Sequence, residues 1–275
     1  MPLKAKGRKG NQHAHIAAAT LSPSSPDFVW VGCSDGRIWR LNWTTGSTEE
    51  LKTRNGSQLT DMTVQAVTIA REPQEILFAS ETVGDSAELV AYDIADLNNP
   101  ETRRLYEHTS QIQMVRSVPG AGVLVAATER GLIVGELDQH KTTTFQNLKY
   151  RFASFDTSDE ITALDIRLSE RRKPKKIDEA RKSDRLLVDV VVGCIRGAIF
   201  VYGDILQEIR QAETKKSQPL PMQPRKHHWH RKAVHCVKWS KTGMSLPDAF
   251  LAGADGQRCI LHIRWLGNGS CPMAD

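Results

Sequence analysis

No two cysteines in this chain are spaced C-x-x-C, and the five present (Cys33, Cys194, Cys236, Cys259, Cys271) are scattered and odd in number. That argues against a disulfide framework and against a structural zinc cluster, and it fits a reducing compartment. No apolar h-region opens the sequence, so no secretory signal is expected. Apolar runs such as Val190 to Ile195 are far too short to cross a bilayer. Long stretches of helical periodicity are missing, which leaves an all-β reading. Missing too are a Gly-rich phosphate loop after a strand and H-E-x-x-H. The letters G-x-S-x-G do occur, at Gly32-Cys33-Ser34-Asp35-Gly36, but there they read as a strand-to-strand hairpin turn and not as the strand-to-helix elbow of a hydrolase. The sequence offers no motif for a nucleotide enzyme or a zinc protease, and no cofactor or small-molecule substrate is expected.

What is present is ordinary in amount. The 275 residues are 40% hydrophobic and 25% charged, enough for one large domain or two small ones. The formal charge is +5 with a pI near 9.0, and its distribution matters more than its sum.

Short β-branched segments recur between Gly or Asp turns. Val29 to Cys33 leads through Ser34-Asp35-Gly36 into Ile38 to Leu41, and Thr45-Gly46 closes the unit. Asp35-Gly36 is a hairpin signal, because a tight primed turn needs positive φ. A triplet of apolar positions at x, x+3 and x+5 then repeats. It reads Ile16/Ala19/Leu21, Val64/Val67/Ile69, Ile112/Val115 with Ser117 breaking the third place, Ile161/Leu164/Ile166, and Val234/Val237/Trp239. The first four lie 48, 48 and 49 residues apart. Each is followed by a second and a third strand, as in Ile76 to Ser80 with Glu88 to Ile94, Val123 to Ala127 with Gly131 to Leu137, and Leu187 to Cys194 with Ala198 to Tyr202.

A period of 40–50 residues with three or four strands is that of a β-propeller of WD-repeat type. The stretch His227 to Ser240 carries the repeat grammar most fully: His230 before a strand, then Val234, Val237 and Trp239, then a Ser-x-x-Gly turn at Ser240 and Gly243. The Trp-Asp pair of the first repeat falls at Leu41-Asn42 and is degenerate. The expected fold is an all-β propeller with about five recognisable blades over residues 14–266. Residues 1–13 form a basic tail and 267–275 a C-terminal tail. Met244 to Asp248 interrupts the last blade, Cys259 to Leu266 is a candidate further strand, and the ring is expected to be partial or irregular.

Two basic stretches interrupt the pattern. Near residues 170–185 stand Arg171, Arg172, Lys173, Lys175, Lys176, Arg181, Lys182 and Arg185, against four acids. Near residues 207–226 a Pro- and Gln-rich stretch ends on Arg225 and Lys226. From Lys215 to Lys241 there are eight Lys or Arg and no acid. The tail adds Lys4, Lys6, Arg8 and Lys9. Each reads first as a solvated surface; together they point to a polyanion, with phosphate contacts at Arg171, Arg172, Lys173, Lys175, Lys176, Arg225 and Lys226.

His227, His228, His230, His235 and Cys236 are the best metal candidates. Zinc needs ligands converging in a tetrahedron, and no partner cluster with ligand spacing exists elsewhere. A blade-turn role for His230, hydrogen-bonded inside the blade, is preferred. Asp189, inside a very apolar strand, needs hydrogen-bond partners and reads as structural. Ser34, Asp35 and Gly36 are accounted for by their turn, no base stands near Cys33 in the sequence, and no catalytic residue is assigned.

Three stretches carry a resemblance. Val31 to Trp39 with Trp43 to Gly46, Val188 to Gly193, and Pro224 to His235 resemble the nucleolar tandem-propeller subunits of the transcription-linked UTP (UtpA-type) subcomplex of the small-subunit processome, in their fungal form. The similarity covers roughly residues 14–243, and the His-Trp-His opening is its most specific part. It implies a non-catalytic nucleolar scaffold that joins other nucleolar WD-repeat proteins on pre-ribosomal RNA, in the context of the U-three small nucleolar ribonucleoprotein, supporting RNA processing and polymerase I transcription. The chain departs from that pattern after Gly243, and it lacks the second propeller and helical region the resemblance implies. The rival expectation is a propeller adaptor without an RNA role, such as a ubiquitin-ligase substrate receptor. No membrane association is expected.

Overall fold

The computed structural model describes residues 14–53, 56–118, 121–139, 141–168, 187–206, 209, 224–228, 230–239 and 250–254. The basic tail, residues 169–186 and 210–223, the Met244–Asp248 insert, the candidate strand Cys259–Leu266 and the 267–275 tail lie outside them.

The chain is all-β, built from consecutive antiparallel sheets. Sheet one holds β1 (Ile16–Leu21), β2 (Phe28–Cys33), β3 (Ile38–Asn42) and β4 (Thr48–Leu51). Sheet two holds β5 (Gln58–Ile69), β6 (Glu72–Val83), β7 (Ser86–Asp93) and β8 (Thr102–His108). Sheet three holds β9 (Ile112–Val118), β10 (Val123–Thr128), β11 (Gly131–Leu137) and β12 (Tyr150–Asp156). Sheet four holds β13 (Ile161–Leu168), β14 (Val188–Cys194), β15 (Ala198–Tyr202) and β16 (Arg225–His228). Sheet five pairs β17 (Val234–Trp239) with β18 (Phe250–Ala254). Each four-stranded sheet is a meander in chain order. The first hairpin forms where expected but not through a primed turn: Gly36 N–H donates to the Cys33 carbonyl across Ser34 and Asp35, and only Gly36 takes a positive φ, 85°, the three-residue loop with a bulged glycine.

The first strand of each sheet lies beside the first strand of the next: β1 by β5, β5 by β9, β9 by β13, β13 by β17. Four apolar cores join the five sheets in series. Trp30, Ile38 and Leu51 pack on Leu77, Val90 and Tyr92. Phe78 and Leu89 pack on Val115, Ile133 and Tyr150. Val125 and Val134 pack on Val190, Val192 and Phe200, and Val191 and Ile199 pack on Val234 and Val237. Middle sheets are covered on both faces, which is why β10, β14 and β15 are buried along their whole length. Each such Val, Ile or Phe contributes about 1.5–3 kcal/mol by leaving water. Among the described residues no core joins sheet five back to sheet one, and the five described sheets form an arc of a propeller.

The registers correct the expected period. Every first strand carries a β-bulge, at Ile16/Ala18, Leu59/Asp61, Ile112/Met114, Ile161/Ala163 and Val234/Cys236. The bulges align the sheets and show that the equivalent of Ile16/Ala19/Leu21 in sheet two is Leu59/Met62/Val64, not Val64/Val67/Ile69. The anchors are therefore 43, 53, 49 and 73 residues apart, and the even spacing was a coincidence of β5. That strand has 12 residues and packs on both faces, with Leu59, Met62 and Val64 in the core with sheet one and Val67 and Ile69 in the core with sheet three, so a triplet slipped by five positions still falls on buried residues.

A second correction concerns the first triplet. Ile16 and Leu21 are 64% and 65% exposed, whereas Ile112, Val115, Ile161, Leu164, Val234 and Val237 are buried. In sheets three to five the triplet faces the preceding sheet; among the described residues no sheet packs on that face of sheet one.

The bulges also explain a small residue in each second strand. Gly32 pairs with Ala18 and Gly193 with Ala163, both beside a bulge. A Cβ on Gly32 would stand 2.0 Å from Leu59 Cδ2, and one on Gly193 2.5 Å from Val234 Cγ1. Leu59 and Val234 are the anchors of the following sheets, so the missing side chain is what lets the next sheet seat.

Candidate interaction surface

In a four-stranded meander the first and third connections leave from the same end. Sheet four is such a meander, running β13-β14-β15-β16. Its first connection leaves after Leu168 and returns at Leu187; its third leaves after Tyr202 and returns at Arg225. Both basic stretches are therefore rooted at one end of one sheet. Arg171, Arg172, Lys173, Lys175 and Lys176 lie outside the described residues. The ends of the second stretch belong to the sheet: Ile209 is buried with Ile205 and Leu206 in the core between sheets three and four, and Arg225 and Lys226 open strand β16.

A polar brace holds that end together. Asp189 Oδ2 accepts from Arg167 Nη2 at 3.2 Å, and Asp189 Oδ1 accepts from the Asp204 backbone N–H at 3.2 Å. The Arg167 guanidinium in turn lies 3.8 Å from the Trp239 ring centroid, a cation–π contact between sheets four and five. The buried carboxylate has its partners, as the structural reading of Asp189 required.

Arg225 and Lys226 are both exposed on the outer edge strand, but they do not converge. Arg225 pairs with Val201 and Lys226 with Phe200. Val201 faces sheet five and Phe200 faces sheet three, so the two cations flank the edge from opposite sides. Lys226 Nζ sits 5.5 Å from the Phe200 ring centroid.

The histidines are likewise spread out. His227 and His228 lie on β16, and His228 Nε2 is 3.1 Å from the Arg196 carbonyl. His230 precedes β17 and is 6% exposed. Its Nε2 is buried without a hydrogen-bond partner among the described residues, so the expected bond within the blade is not made at that nitrogen. Burial lowers the affinity of His230 for a proton. Burial, then the charge of Arg225, does the same at His227. His235 and Cys236 are exposed on sheet five. Trp229 lies outside the described residues.

Two cysteine thiols, Cys33 and Cys194, are held protonated. Burial pushes Cys194 up to about 12, and burial with the neighbouring Asp35 charge raises Cys33. A nucleophilic cysteine needs the opposite environment. A cleft of about 500 Å³ at the rim of sheets two and three is lined by His108, Arg130, Phe155 and Asp156 among others. Arg130 pairs with Glu129 at 3.6 Å, and His108 Nδ1 accepts from the Ser110 backbone at 2.9 Å. These groups are engaged by their neighbours rather than aimed at one reacting atom.

Serial four-stranded meanders, first strands side by side and bulge-aligned registers define the chain as part of a β-propeller of WD-repeat type. Among solved structures it is similar to Raptor from Chaetomium thermophilum, with a TM-score of 0.52 and 14% identity over 89% of this chain. The chain spans only 19% of that protein's length. In all, 834 solved chains match, so the architecture is common and names no activity by itself. No family model and no curated protein matches the chain.

Proposed function

We propose that this chain is a non-catalytic scaffold of pre-ribosome assembly, displaying its loops and sheet edges to protein partners and its basic stretches to RNA phosphate. The observation that carries the polyanion part is the common root of the two basic stretches at one end of sheet four. Phosphate contacts of this kind position a protein and read no bases. The propeller architecture supports the scaffold part, since rigid blades present many surfaces. The finer reading, a nucleolar protein of the small-subunit processome working with UtpA-type propeller subunits on pre-ribosomal RNA near the U-three particle, is supported by the resemblance of Val31 to Trp39, Val188 to Gly193 and Pro224 to His235.

The test is affinity purification of the chain from nuclear extract, with identification of bound proteins and RNA. Recovery of nucleolar propeller subunits together with pre-ribosomal RNA is the expected result. A ubiquitin-ligase core recovered without that RNA would replace the reading with the adaptor one and leave the fold untouched.

A further inference from the structure

Between the outer strands of sheets two and three the apolar packing ends before the sheets do. Ala87 and Leu89 belong to the core shared by the two sheets and pair with His108 and Tyr106, so both rings face sheet three. Across the gap, Tyr150 belongs to the same core and Phe152 packs against it. Side chains alternate along a strand, so Ser154 and Asp156 lie on that face of β12 too. Aromatic rings fill the gap in series. Tyr150 and Phe152 are 5.9 Å apart between centroids, Phe152 and Tyr106 4.8 Å, and Tyr106 and His108 6.4 Å, the last pair stacked at 21°. Past His108, sheet three offers only Ser154 and, opposite Asp156, Gly131. These small residues leave the cleft of about 500 Å³, and both of its walls lie within the described residues.

We infer that this cleft takes an arginine side chain from an extended segment of a partner protein. The inference goes beyond the scaffold reading, which names no partner site on sheets two and three, and its failure would leave that reading standing. Charge selects a cation. The carboxylates lining the cleft are Glu129 and Asp156, against one guanidinium, Arg130. Arg130 lies 3.6 Å from Glu129, and its side chain is 69% exposed, so that pair largely answers itself. The Asp156 carboxylate makes no hydrogen bond or ion pair among the described residues, and the Ser110 and Ser154 hydroxyls line the cleft with it. An entering anion would be repelled by Asp156; a cation gains a counterion. Shape selects guanidinium over ammonium. The His108 ring is fixed by the Ser110 N–H, which donates to Nδ1 at 2.9 Å, and by its stack on Tyr106, so one flat wall is preset. A planar guanidinium stacks on such a ring and gives two N–H groups to one carboxylate, whereas an ammonium is a point charge. The volume is that of a small-ligand site and admits the side chain with its adjoining backbone.

The probe is the blocked tripeptide acetyl-Gly-Arg-Gly-amide, titrated into the full chain and followed by backbone amide shifts in the NMR spectrum. The expected result is a dissociation constant of about 1 mM, with shifts confined to residues 108–110, 128–133 and 154–156. Two controls need no variant to fold. Citrulline in place of arginine keeps the shape, loses the charge and should bind about tenfold more weakly or worse; lysine should bind several-fold more weakly. Asp156→Asn, at an exposed carboxylate without partners, should weaken the arginine peptide about tenfold and leave the remaining spectrum in place. Arg130→Ala removes a like charge and should tighten binding by about twofold. No shifts up to about 10 mM peptide overturn the inference. So does a citrulline or lysine peptide that binds as well as the arginine one, or an Asp156→Asn chain that binds it unchanged. Inorganic phosphate shifting the same amides, with the effect lost in Arg130→Ala, would overturn it in favour of an anion site.

Discussion

At the residue scale, two glycines that look alike in the sequence are set apart by what each meets. Gly32 makes room for Leu59 Cδ2, the far end of a flexible side chain. Gly193 makes room for Val234 Cγ1 at 2.5 Å, Cβ at 2.8 Å and the carbonyl oxygen at 3.0 Å. A β-branched side chain is stiff at χ1, and a backbone oxygen moves only with its strand. Gly193→Ala should therefore cost about 2–3 kcal/mol and Gly32→Ala about 1 kcal/mol, by the usual scale of overpacking; urea denaturation of the two variants checks the order. The buried histidines set a pH dependence. His227 and His230 bind protons less readily when folded than when unfolded. As pH falls past the ordinary histidine value of about 6.5, the unfolded chain takes up protons first, so stability falls. The melting temperature should be flat above neutrality and drop below it, and His230→Gln should flatten that drop.

At the element scale, the sheets are joined by polar staples as well as cores. Asp61 on β5 accepts from the Val115 backbone N–H at 2.9 Å and from Arg116 at 2.6 Å on β9. Asp165 on β13 accepts from the Trp239 backbone N–H at 2.7 Å and from Lys238 at 3.2 Å on β17. Glu75 on β6 accepts from the Ser22 hydroxyl at 2.8 Å and from the Ser24 backbone at 2.7 Å, tying sheet one to sheet two. Hydrogen bonds to a charged, partly buried carboxylate contribute about 1.5–3 kcal/mol. Asp61→Ala should lower stability by about 2 kcal/mol and Asp61→Asn by about half of that, since the amide oxygen still accepts from Val115; thermal melts of both variants measure it. None of these staples was legible in the sequence, because each joins residues more than 50 apart and carboxylates in strands carry no local signature. Strand existence was legible, since alternation and Gly or Asp turns are local. Register was not. The Val64/Val67/Ile69 reading failed because a strand buried on both faces has no polar side to fix its phase. Arg225 and Lys226 were legible as a basic pair, but their opposite faces follow from pairing with Phe200 and Val201, which only the sheet supplies.

At the scale of the whole molecule, the arc places its charge unevenly. Each of its four cores bonds one sheet to the next, and the loops at the two ends of the sheets are free to differ. Sheet four carries both long basic stretches at one end, braced beneath by Arg167, Asp189 and Trp239. That arrangement concentrates cations without spending any core position on them, which is the economy expected of an electrostatic contact. If the stretch near 170–185 touches RNA phosphate, affinity must fall steeply with salt, because each neutralised phosphate releases counterions. Replacing Lys173, Lys175 and Lys176 together by Ala should then reduce the slope of log affinity against log salt by about two, at about 0.7 per contact on a single strand. The loss should be similar on unrelated RNA sequences, since phosphate contacts read no bases. Filter binding of the triple variant at several salt concentrations measures both. An unchanged slope would remove that stretch from the RNA interface and leave Arg225 and Lys226 as the cations of sheet four to replace next.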